Sequence, residues 1–362
     1  RDSTRPLCDR SPRGTSEMSL VRLLSIAYSF GRMRPPYESS EDLVVLNRYS
    51  ASKSELSRLS EQGMRTLSML VDGWDIHLYL SDGRICGGEP NLHNLLEEYR
   101  EQRPYLPCLK DDGSISCGYD LLSARSLRAD HLFVDSCSSL LPVSQNPHAP
   151  TPGSVNVAMS FLAGFPSSYV SSYRIKDGRS EECFLYSALA KYGYDLGSIT
   201  KILNVNSRQV GLELDPFVLV GDPNRRITTP RGATLTETAA QPTPGGVVVE
   251  IASGGCRLVD TIVDTHGLGA LAARHHLAVS WYAKRLPRSS YFLAIPHGPD
   301  AVRLLVYATA PLPPIVRLEL EGVDPWFQEL QRCNAVIKNL DSLMMLRNSD
   351  SKLRGIAADL RG

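Results

Sequence analysis

The stretch "MRTLSMLVDGWDIHLYLSDGRICGG", residues 64–88, decides the fold. Its mostly apolar start, residues 64–71, predicts a β-strand buried inside a sheet. Asp72-Gly73 follows as a two-residue corner. The Asp82-Gly83 dipeptide between "DIHLYL" and "RICG" then predicts a tight β-hairpin. A buried strand that ends in a polar corner predicts functional groups at the edge of a sheet.

A second stretch, "HLFVDSCSSL" at residues 131–140, predicts another apolar strand that carries Cys137 at its end. Strand patterns and amphipathic helical patterns alternate from Asp42 to Pro223, with short connections. This alternation predicts an α/β fold, with a mostly parallel sheet and helices on both of its faces. The predicted strands are 42–47, 64–71, 130–135, 168–175 and 215–223, and the predicted helices are 52–63, 91–102, 154–164, 180–193 and 196–207.

Composition divides the chain into four regions. Residues 1–41 begin as a polar, unpatterned stretch and are interpreted as an N-terminal lead-in, and residues 42–226 as the α/β domain. Residues 227–246 are rich in Thr, Pro and Gly, which favours a linker or long loop. Residues 247–362 contain several β-rich segments and a helical pattern at 325–348, which predicts a smaller α+β region.

Overall charge, apolar runs and short motifs argue against several classes of function. The 362 residues contain 39 Lys+Arg and 39 Asp+Glu, so no global charge favours nucleic acid. No apolar run approaches the ~20 residues of a membrane span. The eight cysteines form no CxxC pair and no HExxH occurs, so we expect free thiols in a reducing cytoplasm and neither a metal nor a cofactor. The phosphate-binding patterns GxGxxG and GxxxxGK[ST] follow no strand, which argues against a nucleotide-binding protein.

Three predicted strands end in residues suited to chemistry. They end in Asp72-Gly73, in Cys137, and in Gly221-Asp222-Pro223. In doubly wound sheets, ligands bind just beyond the carboxyl ends of the strands. A thiol there lies close to helix amino termini, which favour its thiolate form. We therefore expect a candidate site at this edge of the sheet.

The strand with Cys137 resembles the Cys block of caspase-like cysteine peptidases (clan CD). The later blocks "FLAGFPSSYVSSYRIKDG", "LYSALAKYGYDLGSITKILN" and "FVLVGDPNRRI" resemble, in that order, the CHAT subgroup and the gingipains. Residues 64–88 resemble the family's histidine strand and the hairpin after it. The resemblance covers about residues 42–226.

The resemblance implies roles for individual residues. Cys137 would attack a peptide carbonyl, and the backbone at Gly73 would stabilise the oxyanion. The family cleaves peptides next to a selected side chain, often Asp, Arg or Lys. Asp135 would line the pocket edge or cap the following turn, and Asp177 and Asp222 would either shape the specificity pocket or belong to plain turns.

One position departs from the family pattern. Asp72 stands where the family has the histidine that protonates the leaving amine. An aspartate has an ordinary pKa of ~3.9, so it is ionised at neutral pH and is a poor proton donor. His77 lies five residues further on and is either a residue of the hairpin face or a substitute acid. The two His-Gly pairs of the chain follow residue 226, outside the resembling region.

Two functions follow. One is a catalytically weakened or inactive caspase-like domain, a pseudoenzyme that binds a peptide or protein partner. CHAT-type domains accompany helical-repeat or sensor modules in bacteria, so such a module is an expected partner. The other is an active cysteine endopeptidase with Cys137 as nucleophile and His77, or a group from a partner, as acid. Both predict a cytoplasmic protein that binds neither nucleic acid nor membrane.

Overall fold

The structure is a computed structural model. It describes residues 20–25, 43–46, 50–71, 73, 76–87, 120–136, 140, 156–173, 180–209, 215–228, 237–244, 246–265, 277–281, 290–308 and 311–322. The helices predicted at 91–102 and 325–348 lie outside these residues. Over the described residues the chain is an α/β protein with mixed sheets.

The chain divides into two compact units. One, here called the sheet unit, comprises Ser16–Ser187 and Pro216–Ile227. The other, here called the sandwich unit, includes Ala188–Asp215 and Thr228–Gly362. The predicted α/β domain therefore contributes residues to both units.

The strands of the sheet unit are β1 (Leu20–Ser25), β2 (Leu43–Leu46), β3 (Met64–Val71), β4 (His77–Tyr79), β5 (Gly83–Cys86), β6 (Asp120–Ser123), β7 (Ala129–Asp135), β8 (Ser168–Ser172) and β9 (Phe217–Val220). Six of them form the central sheet of the unit, in the order β2-β1-β3-β7-β8-β9. Every neighbouring pair is parallel except β8 and β9, which are antiparallel. The prediction of a mostly parallel sheet is confirmed.

Strand β1 lies within the stretch predicted as a lead-in. It pairs with β2 on one side and with β3 on the other, so it is an interior strand of the sheet. The apolar run "LVRLLS" is typical of a β-strand, but long unpatterned stretches of sequence surround it.

Helices of the sheet unit pack through apolar side chains. They are α1 (Lys53–Gln62), α2 (Val157–Leu162) and the start of α3 (Ser180–Lys191). Leu56 of α1 joins Leu67 and Met69 of β3 in one buried core. Burying a leucine side chain contributes roughly 1.5–3 kcal/mol. The opposite face of the sheet carries Phe133, whose ring stacks on Tyr186 of α3 with centroids 4.7 Å apart.

The hairpin predicted from Asp82-Gly83 is confirmed. Strands β4 and β5 pair antiparallel, and β6 adds to β5 in parallel. The Asp82 carboxylate accepts a hydrogen bond of 2.7 Å from the backbone N–H of Lys53, at the start of α1. An acidic group is stabilised at a helix amino terminus, so this contact fixes the hairpin turn against α1.

The sandwich unit contains α4 (Leu196–Gln209) and two described sheets. The strands are β10 (Thr238–Thr243), β11 (Gly246–Ala252), β12 (Leu258–Asp264), β13 (Leu277–Trp281), β14 (Ser290–Pro296), β15 (Ala301–Ala308) and β16 (Ile315–Gly322). The strand orders are β10-β11-β16-β13 and β12-β15-β14. Alternate residues of both sheets share one buried core, as in a β-sandwich. Strand β10 lies in the stretch predicted as a linker.

A charged cluster joins the α3–α4 connection to the β12–β15 sheet. The Arg303 guanidinium donates to both carboxylate oxygens of Asp260, at 2.8 and 2.6 Å. The Tyr194 hydroxyl also donates to that carboxylate, and Arg303 donates to the Tyr194 oxygen at 3.2 Å. A bidentate pair with a third partner is stronger than an ordinary surface ion pair.

The cysteines differ in part from expectation. Cys86 and Cys183 form no disulfide, as predicted, and both are buried. Cys256 is disulfide-bonded, so the prediction of free thiols is wrong at this residue. Cysteine spacing does not determine pairing, which depends on how the chain brings two thiols together.

Candidate functional site

The ends of β3 and β7 lie side by side. The two strands are hydrogen-bonded neighbours that run parallel, and Leu70 pairs with Asp135. In the sequence, Asp72 follows the last residue of β3, and Cys137 comes two residues after the end of β7. Asp72, Cys137 and Asp177 themselves lie outside the described residues. The structure therefore brings together the strand ends from which two of the predicted site residues continue.

This edge of the sheet matches the place where doubly wound proteins bind ligands. When the strands of this sheet are numbered in chain order, β2-β1-β3-β7-β8 are the second, first, third, fourth and fifth strand. Chain direction across the sheet reverses between β1 and β3, and ligands bind beyond the carboxyl ends of strands at such a switch point. Strand β3 lies at that point and β7 is its neighbour.

Two buried polar residues end β7 and lead into Cys137. Asp135 has none of its surface exposed, and Ser136 has 1% exposed. Within the described part of the chain, the Ser136 hydroxyl has no hydrogen-bond partner. Buried polar groups without a partner cost free energy, so they are rare and mark candidate sites. The sequence prediction included Asp135 and missed Ser136, whose signal was its place between Asp135 and Cys137.

Gly73 approaches the hairpin backbone. It forms an isolated antiparallel bridge with Leu78. A Cβ added at Gly73 would lie 2.6 Å from the carbonyl oxygen of His77 and 2.9 Å from the Cα of Leu78. These are backbone atoms that have little room to move. The close approach to the hairpin backbone therefore explains why residue 73 is a glycine. This explanation is separate from the predicted oxyanion role.

His77 is buried in the hairpin. Its Nε2 lies 3.2 Å from Nη1 of Arg84, and its ring meets Tyr79 edge-on with centroids 5.1 Å apart. Burial lowers the pKa of His77 to about 4, and the positive charge of Arg84 adds to this effect. Arginine can only donate, so Nε2 accepts and the ring proton is on Nδ1. Among the described residues, Nδ1 has no hydrogen-bond partner.

The environment of His77 decides its chemistry. A histidine with a pKa of about 4 is neutral at pH 7, and its neutral form is a weak base. It cannot supply the imidazolium that protonates a leaving amine. Arg84, which the sequence analysis did not single out, donates the hydrogen bond to Nε2 of His77.

Asp222 lies at the opposite edge of the sheet. Because β9 runs antiparallel to β8, its last residue, Val220, pairs with Tyr169 near the start of β8. The exposed Asp222 follows, and its carboxylate accepts a 2.9 Å hydrogen bond from the N–H of Asn224. This is the geometry of an Asx turn. The structure does not bring Asp222 to the edge where Asp135 lies.

The described residues include no group of three or more His, Cys, Asp or Glu side chains that could hold a metal ion. No helix in the described ranges has the length and apolar character needed to cross a membrane.

Comparisons with known proteins give little similarity. No protein-family model matches the chain, and no curated protein matches it. A solved structure described as "Structure of Protease" aligns with 86% of this chain and 68% of its own, at 10% identity and a TM-score of 0.33. A TM-score this low carries no argument about fold or function.

Proposed function

We propose that the sheet unit is a caspase-like, CHAT-type domain that binds a peptide or protein partner and has weak or no peptidase activity. The register of β3 against β7 carries this proposal, since Leu70 opposite Asp135 sets the two strand ends side by side. The sequence continues from those ends into Asp72 and Cys137, the positions where the family resemblance places its catalytic dyad.

The surrounding fold supports the same assignment. The resemblance expects a hairpin after the histidine strand, and β4 and β5 form one after β3. It also expects helices on both faces of the sheet. Leu56 of α1 packs with one face of β3, and Tyr186 of α3 stacks on the opposite face, on Phe133.

The loss of activity follows from two residues. Asp72 replaces the histidine of the dyad with a carboxylate, which does not donate a proton at neutral pH and disfavours a nearby thiolate. His77 does not compensate, because it is neutral and held on Arg84 inside the hairpin. Neither Asp72 nor His77 can then protonate the leaving amine in a reaction at Cys137.

The bound peptide is proposed to carry a basic side chain. Asp135 ends β7 at the candidate edge, and an acidic residue there favours a cationic side chain over an anionic one. Asp177 is proposed as a second pocket residue from the sequence. Asp222 is not part of this pocket, because it lies at the opposite edge of the sheet.

An active endopeptidase is the second candidate. The side-by-side ends of β3 and β7 favour it, because the family's nucleophile strand and histidine strand are neighbours. In this case Cys137 is the nucleophile and a partner supplies the acid.

The test uses dye-labelled peptides that end in an aldehyde, with arginine or aspartate before it, and the matching acyloxymethyl ketones. We expect the arginine aldehyde to bind more tightly, and the arginine ketone to label wild type slowly or not at all. Asp72→His should label faster, and adding Cys137→Ala should abolish that gain. Rapid labelling of wild type that Cys137→Ala removes would favour the active enzyme. No binding of either aldehyde would refute both.

A further inference from the structure

The amino-terminal edge of the six-stranded sheet carries a surface that the proposed peptide site does not use. Five exposed arginines lie there, in a chain whose overall charge is zero. They are Arg65, Arg125, Arg128, Arg225 and Arg226, and they are called the arginine edge below.

Contacts bring three members of this surface, Arg65, Arg225 and Arg226, together from separate segments. Arg65, at the start of β3, donates a 3.0 Å hydrogen bond to the carbonyl of Ile227. This bond holds the segment with Arg225 and Arg226 against the start of β3. Both Arg65 and Arg225 act electrostatically on the buried His131, at the start of β7.

The other two arginines adjoin an exposed aromatic ring. The Arg128 guanidinium lies 5.3 Å from the ring centroid of Phe165, which is 56% exposed. The carbonyl oxygen of Arg125 is so close to Gly164 that an added Cβ there would lie 2.5 Å from it. Val220, 38% exposed, ends β9 at the same edge.

Three exposed acidic residues lie among the arginines. Asp130 is in β7, Asp222 is in the turn after β9, and Glu61 lies three residues before β3. Five positive and three negative charges leave a net charge of +2 on this surface. Interspersed carboxylates repel a continuous polyphosphate, so the pattern disfavours nucleic acid.

The residues of the arginine edge have the composition of a protein–protein interface. Arginine and aromatic residues are enriched in such interfaces, whereas lysine is depleted, and all five cations here are arginines. We propose that the arginine edge binds an acidic surface segment of a partner protein that also carries an apolar side chain for Phe165. Charge complementarity orients the partner, and the aromatic ring contributes apolar contact.

The test uses the full chain and a fluorescein-labelled peptide of alternating glutamate and leucine. We expect it to bind in fluorescence anisotropy, and we expect the double variant Arg225→Glu/Arg226→Glu to bind about tenfold more weakly or worse. Phe165→Ala should also weaken binding. Arg257→Glu, a reversal at an exposed arginine of the sandwich unit, is the matched control and should bind as wild type does.

Three results would overturn the proposal. They are no binding of the acidic peptide, equal binding by the double variant and wild type, and tighter binding of an oligo-dT strand than of the peptide. Equal melting temperatures of the variants confirm that they fold. The arginine aldehyde, whose proposed site lies at the opposite edge, should not compete with the acidic peptide, so failure of one proposal leaves the other open.

Discussion

The buried imidazole of His77 predicts a specific loss of stability in mild acid. Its pKa falls from 6.5 to about 4 on folding, chiefly because burial disfavours the charged ring. Between these two pH values the unfolded chain binds a proton at His77 that the folded chain does not bind. The free energy of unfolding therefore falls as the pH falls through this window, by up to about 3 kcal/mol. Above pH 6.5 both states are neutral and the contribution vanishes.

The variant His77→Gln tests this magnitude. Glutamine accepts a hydrogen bond from Arg84 but does not titrate. Urea unfolding at pH 7, 6, 5 and 4 should show a decline in stability that is smaller in the variant by about 3 kcal/mol. Carboxylates and His131 titrate in both proteins, so they cancel in the comparison. His297→Gln, at an exposed histidine, should keep the wild-type decline. Equal declines in wild type and His77→Gln would refute the argument, and with it the neutral state on which the proposed loss of activity rests.

Two further substitutions test the contacts that shape each unit. Gly73→Ala places a Cβ 2.9 Å from the Cα of Leu78, and the backbone shift that follows should cost roughly 1–3 kcal/mol in chemical unfolding. Asp260→Asn removes the charge that binds Arg303 and Tyr194. Its loss should cost roughly 1.5–3 kcal/mol, measured the same way, because the hydrogen bonds are charged and Asp260 is nearly buried.

Each of these substitutions has a matched control. Gly255→Ala meets no atom within 4 Å and should cost about 1 kcal/mol, because its φ of +77° favours glycine. Glu250→Gln breaks the more exposed pair with Arg317 and should cost less than about 1 kcal/mol. If Gly73→Ala costs no more than its control, the close approach to the hairpin is wrong. If the two ion-pair substitutions cost the same, burial does not strengthen the Asp260 cluster.

Local signals predicted most elements of the sheet unit. The helix predicted at 52–63 begins at Ser52, whose hydroxyl accepts a hydrogen bond of 3.1 Å from the backbone N–H of Glu55. Asp82-Gly83 predicted the hairpin turn, because this dipeptide adopts the backbone angles that a tight turn requires. Such features depend on a few consecutive residues, so the sequence contains all the information that specifies them.

Long-range features were missed for a physical reason. The direction of β9 depends on how the chain returns to β8, and four apolar residues form a strand equally well in either direction. The expectation for Asp222 therefore assumed the wrong edge. The burial of His77 likewise depends on the neighbours that cover the hairpin, and the pairing of Cys256 on how the whole chain folds.

The proposed loss of catalytic activity is compatible with retention of the fold, because different atoms serve each. Gly73 and His77 both contribute to the hairpin, through a backbone approach and through a buried ring. The strand register of β3 and β7 depends on backbone hydrogen bonds and on apolar residues such as Leu67. None of these requires a histidine at position 72. In the proposed function, a carboxylate there removes the acid of the proposed dyad while the sheet edge and Asp135 stay in place, which is the condition for a domain that binds a peptide without cleaving it.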